Sequence, residues 1–543
     1  MTIPSTKLLA TGKAWALGMI LAFLLVPQEG AKNGTPEVSQ EAQEALQQAP
    51  KALESILEKD LEAHATELAS DAYEGRLTGT PGQVKAAEYF RDRFKKLGLK
   101  PWGDKQKRKK GRDWYQRWPV TLFGLDPKGT GLFSGKKKLN KNGAWFLKRS
   151  GKDGRVKGRL VFGGGGSEGA LEEVHAEGKI LVCTTKFGGG WQAMGAVYAM
   201  AKRADDAGAK ALVILSKEFS ARFNQALNMS SVFPGRPQVA QGKKDRQPPG
   251  RGPRNSIPIP TLVLCGEDTK PVLHALRIRE AMAWDPDMEL TLDTSTKKSF
   301  ILGFKHDKQQ VDALNVIGYL EGSSKNQRDE CLVYSCHMDH VGRAADGGIF
   351  NGADDNGSGC ATVLEIAEAY SKLPKAERPK RSILFVVVSG EELGLWGSDW
   401  FAHNPTWPVE KIIADINMDM LGRSTAKIPR DTVAVTPTYN HAKYSTLARE
   451  AAILGGALGL KMGSGDKFYA RSDHINFARQ GIPIVFFSDD EHEDYHMPTD
   501  TPDKLEYDKL QKIARLAFLL GYRTANRKGR PKTIGKQGTW FPK

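Results

Sequence analysis

Apolar residues follow two rhythms along the chain. From Ala52 to Leu68 they recur at helical spacing. Val84, Ala87, Tyr89, Phe90, Phe94 and Leu97 then mark one side of an amphipathic helix that stops at Gly98. Farther on the rhythm changes. Short, almost wholly apolar runs appear: NVIGYLEG from Asn315, CLVYSC at 331–336, SILFVVVS at 382–389, KIIADINM at 411–418 and IPIVFFS at 482–488. Runs of this length and composition predict strands buried on both faces. Helical patterns near 358–372, 394–403, 441–453, 472–479 and 503–522 separate them. The alternation predicts an α/β fold with a mixed, mostly parallel central sheet flanked by helices.

A second set of runs lies between about 155 and 295. GKILVCTT reads as a strand, GGGWQAMGAVYAMAKRADDAGAKALVILS as loop, helix, turn and strand, and IPIPTLVLCGEDTKPVLHAL as strand and helix. A Pro/Arg/Gly-rich stretch, Gly235 to Arg254, interrupts them. The segment from Gly103 to Arg149 is basic and aromatic with no assignable rhythm. Five parts are expected: an N-terminal segment (1–31), a linker and first part of the main domain (32–154), a smaller β-rich α/β unit (155–295), the rest of the main domain (296–525) and a basic tail (526–543).

Composition changes this picture in several places. At 543 residues, with 40% hydrophobic and 26% charged residues, the chain is long enough for two domains with large cores. A net charge of +16 concentrates in runs at 105–112, 135–141, 242–254 and 527–536. No aromatic residues interleave them as a single-strand nucleic-acid platform would need, so they read as solvated loops and no nucleic acid is expected. Near the start, Lys7 and Lys13 precede the apolar run from Ala14 to Val26, which is short for a membrane span. It reads as an export signal, with membrane anchoring through 14–26 as the alternative. The protein is therefore expected outside the cytoplasm: periplasmic, in the cell envelope or extracellular. Five cysteines without a CxxC pair read as buried apolar residues, not as a disulfide framework or a thiolate metal site.

The candidate chemistry lies just past the strand ends. After CLVYSC come His337 and Asp339, and the next loop ends in Asp354-Asp355. Glu391 and Glu392 follow SILFVVVS, Asp419 follows KIIADINM, and DDEHEDYH, ending at His496, follows IPIVFFS. Loops at the carboxyl ends of parallel strands share one sheet edge. Several segments therefore bring imidazoles and carboxylates to one place, a donor set that suits zinc or a similar divalent ion. There are enough carboxylates for two ions if one bridges, and adjacent Glu391 and Glu392 point apart, so that one can ligate while the other serves as base.

These motifs resemble the co-catalytic zinc exopeptidases, the family of aminopeptidase Y, bacterial secreted leucine aminopeptidases and glutamate carboxypeptidase. The likeness lies in His337-x-Asp339, Gly-Ala-Asp-Asp355-Asn-Gly-Ser-Gly, Glu391-Glu392-x-Gly-x-x-Gly-Ser, Asn-x-Asp419-Met, Arg471-Ser-Asp-His and Tyr495-His496. It implies two zinc ions, one held by His337 and Asp419, the other by Glu392 and His496, with Asp355 between them. It further implies that Asp339 orients His337, that Glu391 is the general base, that Tyr495 donates to the oxyanion and that Arg471 lines the substrate site. The middle unit looks like a protease-associated domain, a frequent insertion in this family. Peptides are the implied substrates. The expected activity is that of an aminopeptidase; a carboxypeptidase, a glutaminyl cyclase-like acyl transfer and a non-catalytic receptor ectodomain are the alternatives.

Other polar residues near these motifs read differently. Asp354 is expected to cap or brace its loop, His340 to pack within the loop, His474 to cap or pack its helix, and His492 to be solvated. Glu491, Glu493 and Asp494 are expected to form an acidic lip.

Overall fold

The central sheet of the computed structural model runs in the order Lys461–Ser464, Thr432–Thr436, Ile484–Ser488, Ile412–Met418, Cys331–His337, Ser382–Val388, His306–Leu320, Tyr115–Leu125, Val232–Pro234. The structure describes residues 40–106, 110–126, 128–141, 144–146, 153–185, 191–217, 232–234, 257–285, 295–343 and 348–540. The apolar segment 14–26 and the stretch 235–254 lie outside them.

Four strands at the heart of the sheet are mutually parallel: Ser382–Val388, Cys331–His337, Ile412–Met418 and Ile484–Ser488. His306–Leu320 and Tyr115–Leu125 pair antiparallel on one flank, and Thr432–Thr436 pairs antiparallel with Ile484–Ser488 on the other. The all-apolar runs behave as their composition predicts. Every residue of Cys331–His337, Ser382–Val388 and Ile412–Met418 is buried. Alternate side chains divide between two cores. Leu332, Tyr334 and Cys336 join the larger one, built with the helices Glu58–Leu68, Pro81–Lys96, Gly359–Ser371 and Tyr507–Asn526. Cys331 and Val333 face the other, where Phe401 of Trp396–His403 and Phe477 of His474–Arg479 pack. Fully burying each large side chain contributes roughly 1.5–3 kcal/mol.

Local sequence sets the helix ends. Pro81 opens Pro81–Lys96, where its missing N–H costs nothing. Gly98 follows at φ 73, a conformation that lets Leu99 N–H return to the Phe94 carbonyl at 3.1 Å. The helix expected at 441–453 begins at Thr446, because the Ser445 hydroxyl accepts the Ala448 N–H and caps it there.

The middle of the chain builds a second sheet, in the order Lys137–Lys138, Gly131–Ser134, Ser295–Phe304, Gly154–Phe162, Ile180–Thr185, Ala211–Ser216, Thr261–Cys265, Ala144–Phe146. It therefore draws strands from 131–146 as well as from the stretch beginning near 155. It enters the chain between Tyr115–Leu125 and His306–Leu320, which pair with each other in the central sheet. Its four inner strands are parallel. Ile180 and Val182 face one core, Leu181 and Cys183 the other.

Candidate metal centre

The parallel strands end on one edge, and the polar groups gather there. His337 is the last residue of its strand and pairs in register with Val388, three residues before Glu391. Asp419 directly follows Met418. The Asp355 loop is fixed from two sides. The Asp500 carboxylate accepts the N–H groups of Asp354 and Asp355 at 3.0–3.1 Å. The Asn356 amide donates to the Met418 carbonyl at 3.0 Å, tying the loop to the strand that carries Asp419. His496 sits at φ 55, and Met420 and Asp490 beside the site also hold positive φ. Left-handed backbone in such residues costs energy and tends to cluster where a side chain must be aimed.

Two groups of ligand atoms result: His337, Asp355 and Asp419; and His340, Asp355, Glu392 and His496. In the first, His337 Nε2 lies 3.2 Å from Asp419 Oδ1 and 3.5 Å from Asp355 Oδ1. In the second, His496 Nε2 lies 2.9 Å from both Asp355 Oδ2 and Glu392 Oε2. Each oxygen of Asp355 thus serves one group. His337 Nε2, Asp419 Oδ1 and Glu392 Oε1 are buried without a hydrogen bond. Such groups are costly to bury unless a cation compensates them. The nitrogen and oxygen donors, with no thiolate, fit zinc.

The electrostatics point the same way. Burial alone would depress His496, but Glu392 and Asp355 raise it to about 10. Burial also opposes charge on His337, and Asp419 and its neighbours overcome it, lifting the ring well above its usual value. Burial pushes Glu392 upward, yet His496 and His340 hold it well below the carboxylate range. In each case the site demands positive charge, which a bound cation supplies in place of protons.

Every residue singled out from the sequence lies at or beside this edge. Asp339 is fully buried, with its carbonyl 3.2 Å and its carboxylate 3.7 Å from His337 Nδ1. Its carboxylate also accepts the Thr78 hydroxyl at 2.8 Å and the Glu391 N–H at 3.3 Å. Glu391 lines the cavity with Asp355, Asp419, Met420, Phe468 and Tyr495. Burial raises its carboxyl well above the usual range. Tyr495 stacks on His496 with ring centroids 3.8 Å apart. Arg471 lines the same cavity and pairs with Glu491 at 2.8 Å.

Four neighbours differ from expectation or were not anticipated. His340 faces the site instead of packing passively in its loop, with Nδ1 2.8 Å from Glu392 Oε1. His492 is not solvated: its Nε2 meets the buried Asp354 carboxylate at 3.1 Å. Asp494 is not part of a lip, because Arg423 and Lys504 pair with it at 3.0 and 2.8 Å. Arg76, unremarked in the sequence reading, is fully buried and donates to the carbonyls of Leu68, Met338, Asn351 and Gly352 at 2.6–2.9 Å. It joins the His337 and Asp355 segments from beneath. His474 packs as expected, its ring stacked on Phe486 at 4.3 Å.

The chain is similar to known proteins. Residues 315–520 match Peptidase family M28. The match covers 206 of the 543 residues. The chain's place among the co-catalytic zinc exopeptidases, read from the motifs, is thereby borne out. Aminopeptidase YwaD of Bacillus subtilis is 26% identical over 349 residues, 63% of this chain and 62% of that protein. A probable leucine aminopeptidase of Trichophyton verrucosum is 26% identical over 41% of this chain and 59% of its own length. The match thus spans less than two thirds of these relatives. Among solved structures, the zinc aminopeptidase BSAP of Bacillus subtilis superposes with a TM-score of 0.52 at 20% identity, covering 86% of this chain and 94% of that one. That likeness bears out the α/β fold.

Proposed function

We propose that the protein is a zinc-dependent aminopeptidase that removes N-terminal residues from peptides with two zinc ions, outside the cytoplasm. One observation carries the reading: the charge of the cavity beside the metal centre. Asp355, Glu391, Asp419, Asp490 and Glu491 line it, and Arg471 is the cation among the lining residues. Glu491 already engages Arg471. With Asp355 and Asp419 committed to the ions, the acidic groups left on the wall besides Glu391 are Asp490, paired with Lys467, and Glu491, paired with Arg471; the wall offers a free N-terminal ammonium carboxylates to share and offers a substrate carboxylate no unengaged cation. An acidic C-terminal residue would need unengaged guanidinium groups there, so a carboxypeptidase of the glutamate type fits poorly. The apolar run 14–26 and the family relatives support the remaining elements.

His337 and Asp419 would hold one ion, Glu392 and His496 the other, and Asp355 would serve both. Bound zinc supplies Lewis acidity that lowers the pKa of water and stabilises charge on a carbonyl oxygen. The chain's own groups do the rest. Glu391 Oε takes the proton from the attacking water and returns it to the departing amine, a task suited to a carboxyl held above its usual range. Asp339 holds the Glu391 backbone and the His337 ring in one orientation. Burial keeps the Tyr495 hydroxyl protonated, so it can donate to the developing oxyanion.

The test compares an amino-acid anilide with its N-acetylated form. Hydrolysis of the first and not the second is expected. Equal hydrolysis of both, or cleavage confined to acidic C-terminal residues, overturns the reading.

A further inference from the structure

The basic tail is docked, and its docking builds a cavity. The buried Arg381 donates to the Arg527 and Lys528 carbonyls at 2.6 and 3.4 Å. Farther along, the Lys532 N–H donates to the Thr446 hydroxyl at 3.0 Å, and the Lys532 carbonyl accepts the Thr446 N–H at 2.9 Å. A cavity of about 230 Å³ lies between these anchors and the helix Thr446–Ala457. Arg449 and Glu450 of that helix line it, with Arg527, Arg530 and Lys532 of the tail and Glu41 of Gln40–Gln47. Sites for drug-sized molecules measure roughly 300–1,000 Å³, so this one suits a smaller group. Its charge is unbalanced. Glu450 is shared by Arg523 at 2.9 Å and Arg527 at 2.8 Å. Glu330 is shared by Arg381 at 2.6 Å and Arg530 at 2.9 Å. Each of these carboxylates serves two guanidinium groups and leaves one positive charge over. Arg449 and Lys532 pair with no carboxylate among the described residues. Like charges held together on a fixed backbone repel one another, and an anion between them relieves the repulsion.

We propose that this cavity is a binding site for a phosphate-type oxyanion, held by Arg449 and Lys532 with Arg527 and Arg530 beside them. A guanidinium fork matches two oxygens of a phosphate at once, and a lysine adds a compact charge. Glu450 and Glu330 keep Arg527 and Arg530 in place, so the unpaired Arg449 and Lys532 make the contacts that decide affinity. The phosphate belongs either to a soluble ion or ester or to the headgroup of an acidic lipid, and the recognising groups are the same for both. The site is separate from the metal centre, since none of its lining residues belongs to either group of metal ligands.

The experiment titrates the zinc-loaded full chain with inorganic phosphate by calorimetry, against acetate at the same ionic strength. A second arm measures co-sedimentation with vesicles of phosphatidylglycerol or of phosphatidylcholine. Arg449→Gln, Lys532→Gln and Glu41→Gln are compared with wild type, and circular dichroism and zinc content check that each variant is folded. Binding is expected to weaken about tenfold or more in Arg449→Gln and in Lys532→Gln, the usual worth of one hydrogen bond to a charged group. Glu41→Gln removes an acid from the wall and is expected to tighten binding. Phosphate bound with this dependence places a soluble anion in the cavity. Binding to phosphatidylglycerol vesicles alone, with the same dependence, places a lipid headgroup there. Binding that Arg449→Gln and Lys532→Gln leave unchanged, as at the zinc ions, overturns the proposal. So does acetate binding as tight as phosphate, or no binding in either arm.

Discussion

The two sheets of this protein are built alike and used differently. Each has four parallel strands at its centre, and each divides alternate side chains between two apolar cores. They part company at the carboxyl ends of those strands. In the central sheet His337, Glu392 and Asp419 are there, gathered with Asp355 and His496 into two groups of ligand atoms, and Glu391 lines the cavity beside them. In the second sheet Phe162 leads into four glycines, and Cys265 into Gly266-Glu267-Asp268. Glu267 is exposed and pairs with Lys270, and Asp268 accepts the Lys141 N–H. Among the described residues no group of metal-ligating side chains gathers at that edge, so a buried parallel sheet offers an edge to which chemistry must be added. Chemistry requires polar groups that are desolvated together, and such groups persist where an ion offsets the cost.

The largest effect should come from exchanging one carboxylate in each sheet. Glu391→Gln is expected to lower kcat by a factor of about 100 to 10,000, the usual range for removing a positioned base. Zinc content measured by mass spectrometry should stay at the wild-type level. Loss of metal together with activity would show that Glu391, not Glu392, is the ligand. Glu267→Gln, at the corresponding edge of the second sheet, should leave rate and metal unchanged, since exposed ion pairs are worth little.

A smaller effect follows from truncating a core residue in each sheet. Leu332 and Leu181 are both fully buried. Alanine at either position should cost about 2–5 kcal/mol, read by urea denaturation. Hydrogen exchange then sharpens the comparison. Chelation of metal should speed exchange in the loops after Val388 and Met418 and leave Ile180–Thr185 and Ala211–Ser216 protected. Equal loosening of both sheets would mean that the ions brace the whole molecule, not one edge.

Much of this was legible in the sequence because the signals were local. Strands such as Ser382–Val388 announce themselves by composition, and the polar residue after each needs no partner to be noticed. What escaped was set by distant contacts. Tyr115–Leu125 is a strand because it lies against His306–Leu320, whose pairing brings Val120 opposite Val311. Thr432–Thr436 and Lys461–Ser464 are short, and the second is half-exposed and polar. Asp494 looked solvent-exposed until Arg423 and Lys504 were found beside it. His340 was hidden differently. It follows Asp339 directly, and nothing local shows that its ring turns toward Glu392, fifty-two positions on.

A buried pair outside the metal centre gives the smallest prediction and a check on the electrostatic reasoning. His64 of Glu58–Leu68 meets Glu365 of Gly359–Ser371, Nε2 to Oε1 at 3.7 Å, while Nδ1 contacts the Tyr89 hydroxyl at 2.7 Å. Burial lowers His64 to about 4 and raises Glu365 to about 7. Near pH ~5.5 the folded pair holds one proton, on Glu365, and the unfolded pair holds one, on His64, given ordinary values of 6.5 and 4.5. The wild-type pair therefore adds almost no slope to stability against pH there. Each single variant uncovers a slope of its own sign. Glu365→Gln leaves a histidine whose folded pKa is depressed. The unfolded chain then binds the extra proton, and stability rises with pH between about 4 and 6.5, by at most about 3 kcal/mol. His64→Gln leaves a carboxyl whose folded pKa is raised. Here the folded chain binds the extra proton, and stability is lost as pH climbs from about 4.5 to 7, by a similar amount. Urea denaturation across that range reads both. Slopes of the same sign in the two variants would show that the burial of these groups does not control their protons.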